Sequence, residues 1–265
     1  MHIYRERVLC LPLLLVLTTA ALAQKPELVL QVAHTEEIEA ACFSPDGKTL
    51  ATVRRPVLTF WDIASGRELR SIISPLVGLS LAFSPDGRTI ATGGRYGKAE
   101  DIGLWDVRSG QLTRRFKGAE PQHDGIVFSS DGKLLIVSNQ SGRGEKGIFA
   151  WEAGSGRLAW VTEKHGGVGS IAMSRDGGTI IGGGDVLRTA TGELIGQYRI
   201  GARRVVFHPD GKTVIALFGD AVRFYDAASW KLIDSIMDES GYEGSRLLVS
   251  PDGKFIAVGD RKSVV

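Results

Sequence analysis

Eight basic side chains recur at equivalent places in this chain: Arg54 and Arg55, Arg95 and Lys98, Arg143 and Lys146, and Arg261 and Lys262. Each pair falls in a turn after the second apolar run of a repeating unit. Gathered on one rim they would form an arc of positive charge suited to an acidic peptide or anionic polymer. Taken singly they are the charged turns any soluble surface carries. Glu36, Glu37 and Glu39, with Asp238, Glu239 and Glu243, add acidic groups to loops on the same side. His34, His123 and His165 lie in loops entering three of the units, and three histidines on one face are a conceivable zinc set. The matching loops of the second, fifth and sixth units lack a histidine, so no metal site is assigned. Sequence signatures of a nucleophile elbow, phosphate loop, paired metal motif or dinucleotide fingerprint do not occur. Gly93-Gly94-Arg95-Tyr96-Gly97 is glycine-rich but stands between two strands, without the following helix that phosphate binding uses. The expectation is a chain that is not an enzyme, with no catalytic residues and no cofactor.

These residues are positioned by a repeat. An apolar run ending in an Asp-Gly turn occurs six times, at Asp46-Gly47, Asp86-Gly87, Asp131-Gly132, Asp176-Gly177, Asp210-Gly211 and Asp252-Gly253, with steps of 40, 45, 45, 34 and 42 residues. Four of the six read Pro-Asp-Gly. Pro presets φ, Ser or Asp bonds locally to the backbone, and Gly accepts the left-handed conformation, so each signature joins two strands of a hairpin. Apolar and polar residues alternate with period two on either side. A period near forty with that alternation predicts a four-stranded antiparallel unit.

Further along four of the six units comes a bulky aromatic followed by an acid: Trp61-Asp62, Trp105-Asp106, Trp151-Glu152 and Tyr225-Asp226. A small turn and a fourth strand follow. On turn, dipeptide and period the chain resembles the WD40, or WD-repeat, family, as an exported, bacterial-type member. The resemblance covers residues 26 to 265. It implies an all-β propeller whose four-stranded blades stand around a central channel, and it implies protein–protein interaction far more than chemistry. It also implies a structural hydrogen-bonding role for a histidine entering a blade, tied to a Ser or Thr on the second strand, an Asp and the Trp. His34, Thr52 and Trp61 supply part of that set in the first unit, but no unit has all of it. The fourth unit departs from the pattern, placing Leu187 where the first has Trp61. It is expected to be the shortest and least well packed.

Pro26 to Val32 matches the fourth strand of other units, as in Gly192-Glu193-Leu194-Ile195-Gly196-Gln197-Tyr198. Gly259 to Val265 matches a third strand. Six blades closed by the N-terminal strand would leave no open edge; the alternative is a truncated seven-blade propeller. Ahead of the repeats, Arg5 and Arg7 precede an apolar run from Val8 to Leu17 and the exit Ala21-Leu22-Ala23. This reads as a signal peptide over residues 1–23, with a propeller domain over 24–265 and a periplasmic or extracellular destination. Cys42 is then the one mature cysteine, which excludes an intrachain disulfide.

With 32 Lys and Arg against 30 Asp and Glu, net charge is +2, which gives no global field for nucleic acid. At 43% hydrophobic the chain can bury a core. The expected function is a non-catalytic scaffold binding an unidentified protein partner outside the cytoplasm, with no integral membrane segment once the leader is removed. The alternative is an exported propeller that binds a glycan or small ligand, or a propeller hydrolase or oxidoreductase. A binder would show aromatics at the channel mouth; Tyr96, Tyr242 and Trp230 are the exposed candidates and they are scattered, while Trp160 on a fourth strand reads as packing.

Overall fold

A computed structural model describes residues 38, 40–54, 56–78, 80–93, 101–117, 121–139, 147–163, 170–182, 184–197, 202, 204–219, 221–237, 246–249, 253 and 256–259. Every regular element among them is a strand. The first sheet holds β1 (Ala40–Phe43), β2 (Thr49–Arg54), β3 (Val57–Asp62) and β4 (Glu68–Ile73). The second holds β5 (Ser80–Phe83), β6 (Thr89–Gly93), β7 (Asp101–Asp106) and β8 (Leu112–Lys117). The third holds β9 (Pro121–Phe128), β10 (Leu134–Asn139), β11 (Gly147–Glu152) and β12 (Leu158–Glu163). Then come β13 (Ile171–Met173), β14 (Thr179–Gly182), β15 (Asp185–Arg188) and β16 (Leu194–Gln197), and after them β17 (Arg204–Phe207), β18 (Thr213–Leu217), β19 (Ala221–Asp226) and β20 (Leu232–Met237). A two-stranded sixth sheet joins β21 (Arg246–Val249) and β22 (Ile256–Gly259).

All strand pairs are antiparallel, and each four-stranded sheet runs in chain order from first strand to fourth. First strands are neighbours from sheet to sheet: β1 lies beside β5, β5 beside β9, β9 beside β13, β13 beside β17 and β17 beside β21. Sheets standing side by side on their first strands make the blades of a β-propeller, as the repeat predicts. The strands assigned to residues 26–32 and 260–265, and hence the six-blade count, lie outside the described residues, as does the leader over 1–23.

Alternating residues on the middle strands face opposite neighbours. Val53, Leu58 and Phe60 pack with Ile90 and Trp105 between the first and second sheets. Ile102 and Phe116 meet Leu135 and Val137 between the second and third. Ile136 and Ile148 meet Ile180 and Leu187, whereas the adjacent Ile181 and Val186 meet Val214 and Tyr225. Ile215 and Leu217 meet Leu247 of the sixth sheet. A strand covered on both faces is a nearly continuous apolar run, which is why the second strands read Leu135-Ile136-Val137 and Val214-Ile215-Ala216-Leu217.

The fourth sheet has the shortest strands, and Leu187 pairs with Ile180 as Trp61 pairs with Leu50. The expectation that it is the shortest holds among the four-stranded sheets, and its core positions are nonetheless covered. Ile180, Ile181, Val186 and Leu187 are all fully buried. Two flanking sheets cover a short sheet as well as a long one.

A candidate interaction rim and the turn face opposite it

The described Asp-Gly turns lie on one face, and the first four share one hydrogen-bond pattern. In the first, the Ser44 hydroxyl donates to Asp46 Oδ1 at 2.6 Å, that oxygen accepts the Lys48 N–H at 3.0 Å, and Ser44 Oγ accepts the Thr49 N–H at 2.9 Å. Gly47 closes the turn at φ 69°, the region open to glycine. Ser84 with Asp86, Ser129 with Asp131 and Ser174 with Asp176 repeat the pattern. In the fifth turn His208 replaces the serine; its Nε2 reaches Gly253 O at 2.9 Å, so it ties the fifth turn to the sixth. Asp252 lies outside the described residues. The serine hydroxyls hold Asp46, Asp86, Asp131 and Asp176 below the ordinary carboxylate range. Asp210 is also low: burial raises it, and the Lys212 and Thr213 N–H groups, the Thr213 hydroxyl and His208 together outweigh that.

The second ring of turns on this face uses the acid of the Trp-Asp dipeptide. Asp62 Oδ1 accepts both the Ser65 N–H at 2.8 Å and the Ser65 hydroxyl at 2.6 Å, and the Gly66 N–H donates to Asp62 O at 2.8 Å. Asp106 with Ser109 and Asp226 with Ser229 do the same, and Glu152 substitutes with Ser155 and Arg157. Serine hydrogen bonds are the first cause of the low pKa at Asp62, Asp106 and Asp226. A one-residue register shift falls just before the aromatic position in all five four-stranded sheets, between Phe60 and Trp61 in the first and Val186 and Leu187 in the fourth. This acid is therefore a turn cap.

These outer turns are also where neighbouring sheets lock. Arg70 on β4 lies over Gly110 in the turn of the second sheet, and its Nη1 donates to Ser109 O at 2.9 Å. Arg114 on β8 lies over Gly156 and donates to Ser155 O at 2.8 Å and to Gly154 O. Trp160 on β12 lies over Gly192 and donates to Thr189 O at 3.2 Å. At the next junction the sizes reverse: Gly196 on β16 faces Trp230, which stands in the turn position held elsewhere by glycine and has φ 58°. Trp230 is thus half-buried against Ile181, Val186 and Tyr225, which corrects its reading as an exposed ligand-binding aromatic. Trp160, read as packing, does pack.

Of the eight candidate partner-binding residues, one is placed, on the opposite rim. Arg54 ends β2 there, paired across the strand with Val57, and is exposed. Arg55, Arg95, Lys98, Arg143, Lys146, Arg261 and Lys262 lie outside the described residues, as do His34 and His165, Tyr96 and Tyr242. His123 falls within β9 rather than in a loop. The rim has charged groups that the basic-turn pattern did not point to. Arg223 stacks on Phe218 at 4.2 Å from the ring centroid, and Asp185, 3% exposed, accepts from Gln197 Nε2 at 3.0 Å. Asp185 is one residue after the Gly-Gly-Gly run of the fourth unit, so the shortened second-to-third turn was the signal for it.

The aromatic–hydroxyl tie implied by the resemblance is present in two sheets. Trp61 Nε1 donates to Thr52 Oγ1 at 2.8 Å, and Trp105 Nε1 to Thr92 Oγ1 at 2.9 Å, with Thr92 donating on to Leu76 O at 3.0 Å. In the third sheet Val137 holds the equivalent place, and Trp151 instead stacks on Phe149 with ring centroids 5.6 Å apart. Burial pushes the Cys42 thiol up to about 12, against a smaller opposing hydrogen bond from the Phe83 backbone. Among the described residues no group of three His, Cys, Asp or Glu could hold a metal ion, and no helix is long and apolar enough to cross a membrane.

The WD domain, G-beta repeat, matches residues 25–62 and 73–100. The chain is 27% identical over 208 residues to telomerase protein component 1 of Rattus norvegicus, covering 74% of this chain and 8% of that one. It is 26% identical over 157 residues to target of rapamycin complex subunit wat1 of Schizosaccharomyces pombe, covering 56% and 46%. It therefore spans less than half the length of either relative. A solved structure, Kuenenia stuttgartiensis hydrazine synthase, shares the fold with a TM-score of 0.72 at 20% identity, over 88% of this chain and 77% of that one. The repeated turns, the aromatic–acid dipeptides and the stacked four-stranded sheets accord with that WD40-repeat match, and the chain has the fold of a β-propeller.

Proposed function

We propose that this propeller is a non-catalytic scaffold that holds a protein partner on the rim opposite the Asp-Gly turns, and that it works outside the cytoplasm. The observation that carries the scaffold reading is the division of labour between the faces. On the turn face, polar groups are spent on turn caps and on ties between sheets, as Ser44, Asp46, Asp62 and Arg114 show. The other rim is where turn length and charge vary, from two residues between β2 and β3 to seven between β6 and β7. Rigid sheets presenting variable turns suit recognition. The similarity to a telomerase protein component and to a target of rapamycin complex subunit accords with an assembly role. Export rests on the basic, apolar and Ala-Leu-Ala segments of residues 1–23.

The test uses the exported chain as bait in the envelope fraction of the exporting cell. A stoichiometric protein captured by the native chain and lost with Arg54→Glu, Arg55→Glu, Arg95→Glu and Arg143→Glu, at unchanged melting temperature, supports the basic rim. Equal capture by both chains removes it. Recovery of only a glycan or small ligand would overturn the scaffold reading. The mass of the protein from cells tests export: a chain starting at Gln24 is expected, and an intact cytoplasmic chain refutes it.

A further inference from the structure

Toward the rim opposite the Asp-Gly turns, the junctions between neighbouring sheets carry one set of equivalent positions. The preceding sheet supplies a residue near the end of its second strand. The following sheet supplies a cross-strand pair and the residue at the aromatic position. Between the first and second sheets the set is Val53 against Thr92, Gly103 and Trp105, and Val53 and Trp105 share one core. The Thr92 hydroxyl is satisfied there, accepting from Trp105 Nε1 at 2.9 Å and donating to Leu76 O at 3.0 Å. Between the second and third sheets the set is Gly93 against Val137, Phe149 and Trp151, with the two rings stacked. Both sets have an indole to fill them.

Between the third and fourth sheets the set is Ser138 against Gly182, Asp185 and Leu187. Strand alternation points Ser138 the same way as Ile136, and Asp185 the same way as Leu187. Ile136 and Leu187 share the core between these two sheets, so Ser138 and Asp185 face one another's sheet at one end of it. Ser138 is 0% and Asp185 3% exposed, and Gln197 Nε2 donates to Asp185 Oδ1 at 3.0 Å. Among the described residues, Ser138 Oγ is a buried oxygen with no hydrogen-bond partner. The cause lies in the sequence. Leu187 stands where the first three sheets have an indole, so no ring N–H reaches a hydroxyl here. Serine, glycine, aspartate and leucine are also together smaller than the residues that fill this place at the two preceding junctions.

A buried hydroxyl without a partner costs its lost hydration, and small polar-lined spaces are where single water molecules are held in protein interiors. We propose that this junction binds a water molecule that bridges the Ser138 hydroxyl to the Asp185 carboxylate. The water donates one hydrogen to a carboxylate oxygen and exchanges a second hydrogen bond with Ser138 Oγ, which can donate or accept. A small molecule does at this junction what Trp105 does for Thr92 between the first and second sheets. This inference is independent of the partner proposed above.

Ser138→Ala in the full chain tests the bridge by the sign of its effect. With the water bound, the hydroxyl contributes a hydrogen bond, and its loss is expected to lower the melting temperature by roughly 2–4 °C. A hydroxyl left unsatisfied only burdens the fold, so an unchanged or raised melting temperature overturns the proposal. Ser138→Val, which supplies the side chain that the first sheet has at Val53, expels the water and is expected to melt at or below the Ser138→Ala chain. Melting above the native chain would overturn the bridge as well. A crystal structure of the native chain needs no variant. An ordered water within hydrogen-bonding distance of both Ser138 Oγ and an Asp185 carboxylate oxygen is expected. Direct contact between the two side chains, a water on only one of them, or a water on neither refutes the bridge.

Discussion

Arg70 and Trp230 do the same work from opposite sides of a junction. Between the first and second sheets a long side chain on the outer strand covers a glycine in the next turn; between the fourth and fifth, the strand offers Gly196 and the turn supplies the bulk. What the junction fixes is the filled volume, and either partner can supply it. The two solutions are not equal in cost. Arginine over glycine leaves the turn in a backbone conformation that glycine adopts freely, whereas Trp230 holds φ 58° with a bulky side chain.

The sharpest way to break the comparison is Gly196→Arg alone. It puts two large groups into one slot and should destabilise the chain by about 2–3 kcal/mol, read as a drop in denaturant midpoint. Adding Trp230→Gly restores the arrangement of the first three junctions, and the double variant should recover most of that loss. A double variant no better than the single would show that the junctions are not interchangeable. Trp230→Gly by itself opens a void but relieves the left-handed strain, so a smaller net loss of about 1–2 kcal/mol is expected. Arg114→Ala removes hydrogen bonds at an exposed site and should cost about 1 kcal/mol.

The smallest effect separates the turns from the sheet cores. The turn carboxylates of Asp46, Asp62 and Asp106 titrate below the ordinary value of 3.8 when folded. A depressed folded pKa contributes stability that is present above the unfolded pKa and lost as pH falls through the folded one. Melting temperature should therefore hold above about pH 5 and fall below pH 4. Asp62→Asn should flatten that fall slightly, whereas Arg114→Ala should leave its slope unchanged.

Much of this architecture was written locally. The Ser-Pro-Asp-Gly turns and the aromatic–acid dipeptides specify hairpins from residues within ten positions of one another, so they could be placed from the sequence, as could Leu187 in the aromatic position. The ties between sheets could not. Arg114 and Gly156 are 42 positions apart and read separately as a surface arginine and a turn glycine. Trp230 misled for the same reason: its partner Gly196 lies on a different sheet, and an aromatic in a turn reads as exposed until that neighbour is known. Coverage of the fourth sheet was not legible, because a sheet's length is a local property and its coverage is not. The proposed basic rim is legible only as a charge pattern in the sequence, and of its residues Arg54 alone is among those described.

The alternation of Leu135, Ile136 and Val137 between two neighbouring cores has a consequence for how the molecule can be divided. Ile136 belongs to the contact with the fourth sheet, while Leu135 and Val137 belong to the contact with the second. Among the described residues each apolar core is shared by two sheets. An excised repeat would therefore keep its hairpins and lose both halves of its apolar cover. The smallest separable piece is a run of adjacent sheets, each supplying half of its neighbour's core.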